Sequence, residues 1–500
     1  MKKGWGSFFI LIFLLGVWIL PAMAADPSTE IEQLKEEVKK LLKRIEELEK
    51  KQTESEIKTK ETEKKVAETE KKVLQAGYDK GFYIKTPDEN FTLKTNLFIQ
   101  FRYTYLDFDR KVNTNNENWS NFFMRRARVF FSGNALNKDW TYYFHIQLEP
   151  VGAVNLHDAY VTWKKYPYAQ IQVGRAKHPY SLEFWQSASQ LNGVERTIFS
   201  GETDVDGKED SRKWPGGNAN FQVSNEDSVT KYPVGGFNLF RSQGIQLQGD
   251  INIFGQDGFL QYWAGIYNGR NTKGSVSIDN NPLYVGRISI NPFGKYNLTQ
   301  QGDIDYSKDP KLCLLVSGVQ YVDRLTKYRS TTDTPPTDGY GDEVTATYGI
   351  EGTGYNLAGL FRYMGFSLDA EYGYERLKQK RTGGHTWDRF GYRTNVGYFF
   401  IPKKLEMVVR YAYVERIKDN TQEKSLASGL GLVSVNDGSY NAIEDNLKEY
   451  TIGLNYYFTA HNLKLFVDYS YLVRNLTPVG VGMINDQHDN RFRTMIQYLF

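Results

Sequence analysis

The chain has 500 residues, with 62 Lys and Arg against 59 Asp and Glu and a formal net charge of +3. That balance excludes a dedicated nucleic-acid binder, which carries a basic excess, and a mean hydropathy of −0.54 excludes a polytopic helical membrane protein. A single cysteine, Cys313, excludes an intrachain disulfide and a Cys-based metal or iron–sulfur site, and no CxxCH is present, so no cofactor is expected.

The first element, residues 1–24, reads as a secretory signal peptide. Lys2 and Lys3 give the positive start, Phe8 to Leu20 the apolar run, and Ala22-Met23-Ala24 the small residues of a cleavage site. Residues 26–80 then read as an α-helical coiled coil. Ile31, Leu34, Val38, Leu41, Ile45 and Leu48 step by three and four, which is an a/d heptad seam. The seam turns polar beyond Gln52, and Gly77 and Gly81 mark its end. β-Branched residues at a with Leu at d favour two parallel strands.

From residue 82 to 500 the pattern changes to period two. Leu97, Ile99, Phe101, Tyr103 and Tyr105 alternate with Phe98, Gln100, Arg102 and Thr104, and Leu463, Leu465, Val467, Tyr469 and Tyr471 line one face in the same way. Aromatic residues near strand ends and Arg, Gln, Glu and Asp on the opposite faces favour a membrane β-barrel over a soluble sandwich. The strands fall near 92–109, 121–133, 139–149, 155–164, 169–176, 241–254, 258–268, 283–291, 311–323, 344–363, 366–378, 389–400, 405–416, 447–458, 462–474 and 489–500. Sixteen antiparallel strands is an even number, as in bacterial single-chain barrels. Short connections such as Ala135–Lys138, Ile401–Lys404 and Thr459–Asn462 alternate with long ones near 177–240, 324–343, 417–446 and 475–488. Pro292–Pro310 breaks that alternation: it should be short and is not. The longest loop, 177–240, follows the fifth strand and is expected to narrow the channel.

Several stretches carry a family resemblance. They are Phe122-Phe123-Met124-Arg125-Arg126-Ala127-Arg128-Val129, Asp139-Trp140-Thr141-Tyr142-Tyr143 and Leu156-His157-Asp158-Ala159-Tyr160-Val161. Val173-Gly174-Arg175-Ala176-Lys177-His178-Pro179-Tyr180-Ser181-Leu182-Glu183 and Val194-Glu195-Arg196 follow. Near the end come Gly453-Leu454-Asn455-Tyr456-Tyr457-Phe458, Leu463-Lys464-Leu465 and Phe500. In this order they resemble the phosphate-selective porin O and P family. The resemblance implies a sixteen-stranded outer-membrane barrel, a homotrimer, and passive diffusion of anions.

Alternation nominates the channel-lining cations: Arg102, Arg126, Arg128, Arg287, Arg393, Arg410 and Arg493, with Lys177 and Arg196 at the constriction. Such side chains replace an anion's hydration by charge-assisted hydrogen bonds. The competing reading pairs them with Asp158, Glu149, Asp369, Glu371, Glu406 and Asp468 as ordinary lumen charges. Outside the signal and the 26–80 segment the chain holds 46 bases and 44 acids, a near balance that argues for a weak anion bias rather than a strong one. The loop adds acids at Asp204, Asp206, Glu209 and Asp210, whose spacing is reminiscent of a short calcium loop but lacks its closing Glu; a solvated loop is the expectation. Histidines at 145, 157, 178, 385, 461 and 488 form no paired metal spacing, and no GxSxG elbow is present, so no enzyme is expected.

The functional expectation is an outer-membrane porin for small hydrophilic solutes, embedded in outer-membrane lipid, weakly anion-biased and with phosphate among its candidates. The coiled coil would sit in the periplasm and trimerise with the barrels. The alternatives are an envelope tether that grips the cell wall through residues 26–80, and a barrel sleeve around a protein partner.

Overall fold

In the computed structural model, the described residues are 27–70, 73–107, 118–148, 154–200, 237, 239, 241–269, 282–325, 348–380, 386–415, 434–436, 441–478 and 486–500. The signal-peptide expectation for 1–24, the carboxylate Glu149 and the acidic stretch 204–210 lie outside them. No helix among the described residues is long and apolar enough to cross a membrane, which says nothing of strands.

The chain divides into two units, Met1–Val73 and Leu74–Phe500. In the first, α1 spans Pro27–Glu70. Its 44 residues reach about 66 Å at 1.5 Å per residue. Ile31, Leu34, Val38, Leu41, Ile45 and Leu48 are all exposed. The helix is shorter than its sequence periodicity suggests. Gln75–Tyr78 is a strand instead, paired in a hairpin with Phe82–Lys85. Lys80 and Gly81 both take positive φ at its turn, a geometry helical continuation would not allow.

The second unit is a closed antiparallel barrel. Its strands are β1 (Thr92–Asp107), β2 (Trp119–Asn134), β3 (Trp140–Gln147), β4 (Asn155–Tyr166), β5 (Ala169–Lys177), β6 (Arg241–Ile253), β7 (Gln256–Tyr267) and β8 (Leu283–Ile290). They continue as β9 (Lys311–Leu325), β10 (Tyr348–Tyr363), β11 (Phe366–Lys380), β12 (Thr386–Ile401), β13 (Leu405–Glu415), β14 (Asn441–Thr459), β15 (Leu463–Pro478) and β16 (Gln487–Leu499). Each pairs with the next, and β16 closes the ring on β1 from Leu499↔Phe98 to Asn490↔Asp107. The hairpin adds Phe82–Lys85 to the start of β1, and Ser434–Asn436 pairs with the start of β14.

The connections from β6 to β7 and from β10 to β11 are two-residue turns with both residues at positive φ: Phe254-Gly255 and Met364-Gly365. That geometry matches the right-handed twist of the strands it joins. The turns 135–139, 167–168, 254–255, 364–365, 402–404 and 460–462 all lie at one end of the barrel. An even strand number returns β16 to the end where β1 begins, so both ends of the sheet meet at the short-turn edge.

Burial runs inside out. Along β14, Tyr450, Ile452, Leu454, Tyr456 and Phe458 are exposed, while Glu449, Thr451 and Asn455 are buried. The exposed face is aromatic, then aliphatic, then aromatic again. Tyr392, Tyr450 and Tyr471 stand toward the loop end, and Tyr398, Tyr456 and Tyr498 toward the short turns, with Val409, Ile452, Leu454 and Ile496 between. This is the apolar band with two aromatic girdles of a barrel that lies in lipid.

Candidate functional site: a lumen crossed by two inward segments

The polar face of the sheet encloses a lumen, and two connections fold into it from opposite ends. From the loop end, the chain beyond β5 turns inward at His178 and runs across through Ser200, nearly all of it buried. It forms a single helical turn, α2 (Leu182–Trp185). The Glu371 carboxylate of β11 accepts Ser181 Oγ at 2.9 Å, Leu182 N at 2.7 Å and Glu183 N at 3.0 Å, satisfying the free amides at the start of that turn. At its other end the carbonyls of Phe184, Trp185 and Gln186 accept from Lys177 Nζ, and those of Glu183 and Gln186 from Arg196.

Two carboxylates of this segment gather the wall's arginines. Glu195 meets Arg102 Nη1 at 2.9 Å, Arg125 Nε at 2.5 Å and Arg126 Nη2 at 2.7 Å. Glu183 lies 3.3 Å from Arg410 Nη2 and 3.7 Å from Arg393 Nε, and also accepts Thr197 N, Thr197 Oγ1 and Ser200 Oγ. On the far wall, Glu449 accepts Ile198 N at 2.9 Å, and Lys464 Nζ donates to the carbonyl of Leu191 at 2.8 Å. The segment is therefore fastened to strands all round the ring.

The second inward segment is the connection Asn291–Pro310 between β8 and β9, the one whose length did not fit a short turn. It folds into the lumen and buries Tyr296, Leu298, Gln300, Gln301, Asp303 and Ile304. Tyr296 and Leu298 join Leu182, Cys313, Leu315, Ala358 and Leu360 in one apolar cluster inside the barrel. The two segments touch directly: Ser187 N donates to Thr299 O at 2.8 Å, Gln301 N to Gln190 O at 2.9 Å, and Gln301 Nε2 to Gln186 Oε1 at 2.7 Å. Gly302, at φ +71°, sits against Glu406, where a Cβ would lie 2.6 Å from Oε1. Glu406 is fully buried and accepts only neutral donors among its hydrogen bonds, from Asn192, Asn455 and Tyr457.

Every nominated cation lies on the lumen side. Arg102, Arg126, Arg128, Arg287, Arg393, Arg410 and Arg493 are buried on the inner face, Arg196 is buried in the inward segment, and Lys177 is half-buried beside it. Arg493 forms a double contact with Asp468, with bonds of 2.6 and 2.8 Å, and Arg393 bonds Glu371 at 2.7 Å, so the pairing alternative holds for these two. Arg128 donates to Gln147, and Arg287 to the carbonyl of Tyr180 while lying 4.9 Å over the Trp185 ring. Arg287 Nε and Nη1 are buried without a hydrogen-bond partner among the described residues.

Other members were not nominated from the sequence. Arg125 follows its neighbour's parity only because of a bulge: Gln100 pairs with Arg126 and Phe101 with Met124, which frees Arg125 to turn inward. Glu183 and Glu195 were visible as residues but not as partners of strands up to 227 positions away. Arg241 pairs with Asp158, Arg389 with Glu375 and Arg491 with Glu449, and a signal for each exists in inner-face parity. Among the described residues, fourteen Arg and Lys464 are buried against eleven buried carboxylates, so their buried set is more basic than the chain as a whole. No cluster of three or more His, Cys, Asp or Glu able to hold a metal occurs among them.

The family model described as phosphate-selective porin O and P matches residues 95–230 and 330–500, more than half the chain and including every stretch that carried the resemblance. No curated protein sequence matches. Among solved structures, the chain is similar to the anion-selective porin from Comamonas acidovorans, with 11% identity, 82% of this chain and 99% of that one covered, and a TM-score of 0.48. It is similar also to the outer membrane channel DcaP of Acinetobacter baumannii, with 13% identity, 82% and 97% covered and a TM-score of 0.47. The trimer form of OmpT from Vibrio cholerae gives 10%, 82%, 99% and 0.47.

Proposed function

The chain belongs to the phosphate-selective porin O and P family, and from that premise we propose that it is a passive channel for small hydrophilic solutes across the outer membrane, with a weak anion bias. The observation that carries the bias is the excess of buried cations over carboxylates inside the barrel. A low-dielectric wall focuses that excess along the solute's path. The bias is weak because the carboxylates of Glu183, Glu195, Glu371 and Asp468 already neutralise most of the guanidinium groups nominated for anion contact. Phosphate is one candidate among the permeant anions, and the segment 177–240 is the constriction.

The test is electrical. Purified protein in a planar bilayer should give stable stepwise conductance, and its reversal potential in a KCl gradient should shift modestly toward the chloride potential. A barrel that never conducts would reject the channel. A shift toward the potassium potential would reject the anion bias.

For α1 we propose a parallel coiled coil in the periplasm, joining three barrels. Its exposed apolar seam favours association, and the start of β1 lies at the short-turn end, the periplasmic side of such barrels. Three linked barrels would raise the local concentration of three helices. Cysteines placed at Leu34 and Leu41 should cross-link as trimers, and exclusive dimers would show the trimer to be wrong. The length of α1 also supports an envelope tether to the cell wall, and a chain lacking 27–70 would then fail to hold the envelope. A sleeve around a protein partner is disfavoured, because the chain's own two segments already occupy the lumen.

A further inference from the structure

One carboxylate in the lumen holds three guanidinium groups. Glu195 Oε1 accepts from Arg102 Nη1 at 2.9 Å, Arg125 Nε at 2.5 Å and Arg126 Nη1 at 3.1 Å, and Oε2 from Arg126 Nη2 at 2.7 Å and Arg125 Nη2 at 3.4 Å. None of the four side chains is more than 3% exposed. The wall supplies the cations on adjacent strands, two of them through the bulge that turns consecutive residues inward. The carboxylate comes from a different element, the inward segment. Val194 beside it packs on Phe466 and Met495, which fixes where the glutamate reaches.

Forked guanidinium donors converging on two oxygens form the geometry that recognises a free carboxylate or phosphate. Here a residue of the chain fills that position. We propose that Glu195 is a specificity-determining residue: a tethered counter-anion that closes an oxyanion site formed by Arg102, Arg125 and Arg126. With the carboxylate in place, its two oxygens take the donors an incoming anion would need, and solute anions pass the site. With the carboxylate removed, the guanidinium donors that met it lose that acceptor, and a small oxyanion from solution takes its place. This rests on the reading of the barrel as a channel, but the site itself can be tested by binding alone.

The binding test uses full-length protein in detergent and inorganic phosphate as the probe. Glu195→Ala leaves space for an anion and should bind phosphate at millimolar concentration or below, whereas the parent should not. Acetate, which restores a carboxylate to the same place, should compete. Glu195→Ala with Arg126→Gln should lose at least tenfold in phosphate affinity. In planar bilayers Glu195→Ala should raise the chloride-to-potassium permeability ratio severalfold, and millimolar phosphate should depress its chloride current. Should Glu195→Ala fail to form a heat-modifiable barrel, Glu195→Gln, which preserves volume, should show the same rise in permeability ratio. Equal phosphate binding by the parent and Glu195→Ala would overturn the proposal, as would binding that persists unchanged after Arg126→Gln. A parent that does not conduct while Glu195→Ala binds phosphate would reject the channel and keep the masked site.

Discussion

The two segments that enter the lumen are held by different chemistry. The loop-end segment, 178–200, is fastened by charge: Glu183 and Glu195 reach to Arg410, Arg393, Arg102, Arg125 and Arg126. The turn-end segment, 296–304, has no ion pair among the described residues: Gln301 bonds Gln186, the Gln300 carbonyl accepts from Arg362, and Tyr296 and Leu298 pack in the apolar cluster. Ion pairs buried on both sides are costly to break singly, because the remaining partner is left charged and unpaired. Neutral bonds are cheaper to lose. On the channel reading proposed above, disturbing the loop-end segment should change both bore and charge selectivity, and disturbing the turn-end segment bore alone.

The largest effect should come from Glu183→Ala. It strands Arg410, takes the more distant of two carboxylates from Arg393 and removes the acceptor of Thr197 and Ser200, at a cost on the order of 3–5 kcal/mol by analogy with broken buried pairs. Limited proteolysis should then cut within 178–200, and conductance should rise with a changed reversal potential. A variant as resistant as the parent would break the contrast. Gly302→Val should act at the other segment. Positive φ and the nearby Glu406 oxygen penalise a side chain there, by roughly 1–3 kcal/mol. Single-channel conductance should change while the reversal potential stays put, and a shifted potential would show that bore and charge are not separable.

Ionic strength sharpens the same division. Raising KCl from about 0.1 to about 1 M shortens the Debye length from roughly 10 to 3 Å. The anion bias should fall toward unity, and the bore's conductance should scale with salt. The smallest effect is expected outside the lumen altogether, at the turn before β1. There Glu89 accepts from Lys138 and Lys85, each at 2.7 Å, and those bonds lower its pKa to about 2. A depressed carboxylate stabilises the folded turn above its unfolded pKa and loses that contribution as pH falls through about 2. Because Glu89 is solvent-exposed, Glu89→Gln should alter hydrogen exchange of the Thr86–Phe91 amides slightly at pH 7 and leave conductance unchanged.

Much of the barrel was legible because strand period is a local property. Sixteen strands could be located from alternation, and inner-face parity put all of the nominated strand arginines in the lumen. What could not be read shares a cause: it depends on partners distant in the chain. Arg125 escaped because a bulge cancels parity at one residue, and the alternation rule has no term for it. Asn291–Pro310 showed only as an anomaly of length, since its destination is set by contacts with Gln186, Gln190 and Glu406. The end of α1 was overextended because Lys71 to Ala76 remain compatible with a heptad, whereas the Gln75–Lys85 hairpin depends on pairing to β1. Glu195 stood in the resemblance itself, but its role needs the three arginines in view.

The seam between β1 and β16 also bears on how the barrel is made. Gln100 and Gln497 are bonded across it at 2.8 Å, and the main chain of Leu97 exchanges two bonds with Phe500. Those partners are about 400 positions apart, the longest separation of any strand pair in the sheet. Closing so long a stretch of chain is entropically expensive and slow. Until it happens, β1 and β16 are both open edges with unsatisfied amides, able to pair with any other strand at hand. A nascent barrel therefore has one vulnerable site, not sixteen, and whatever chaperones its insertion has only to guard that pair of edges. Substitutions at Gln100 or Gln497 should accordingly slow assembly more than they weaken the finished ring.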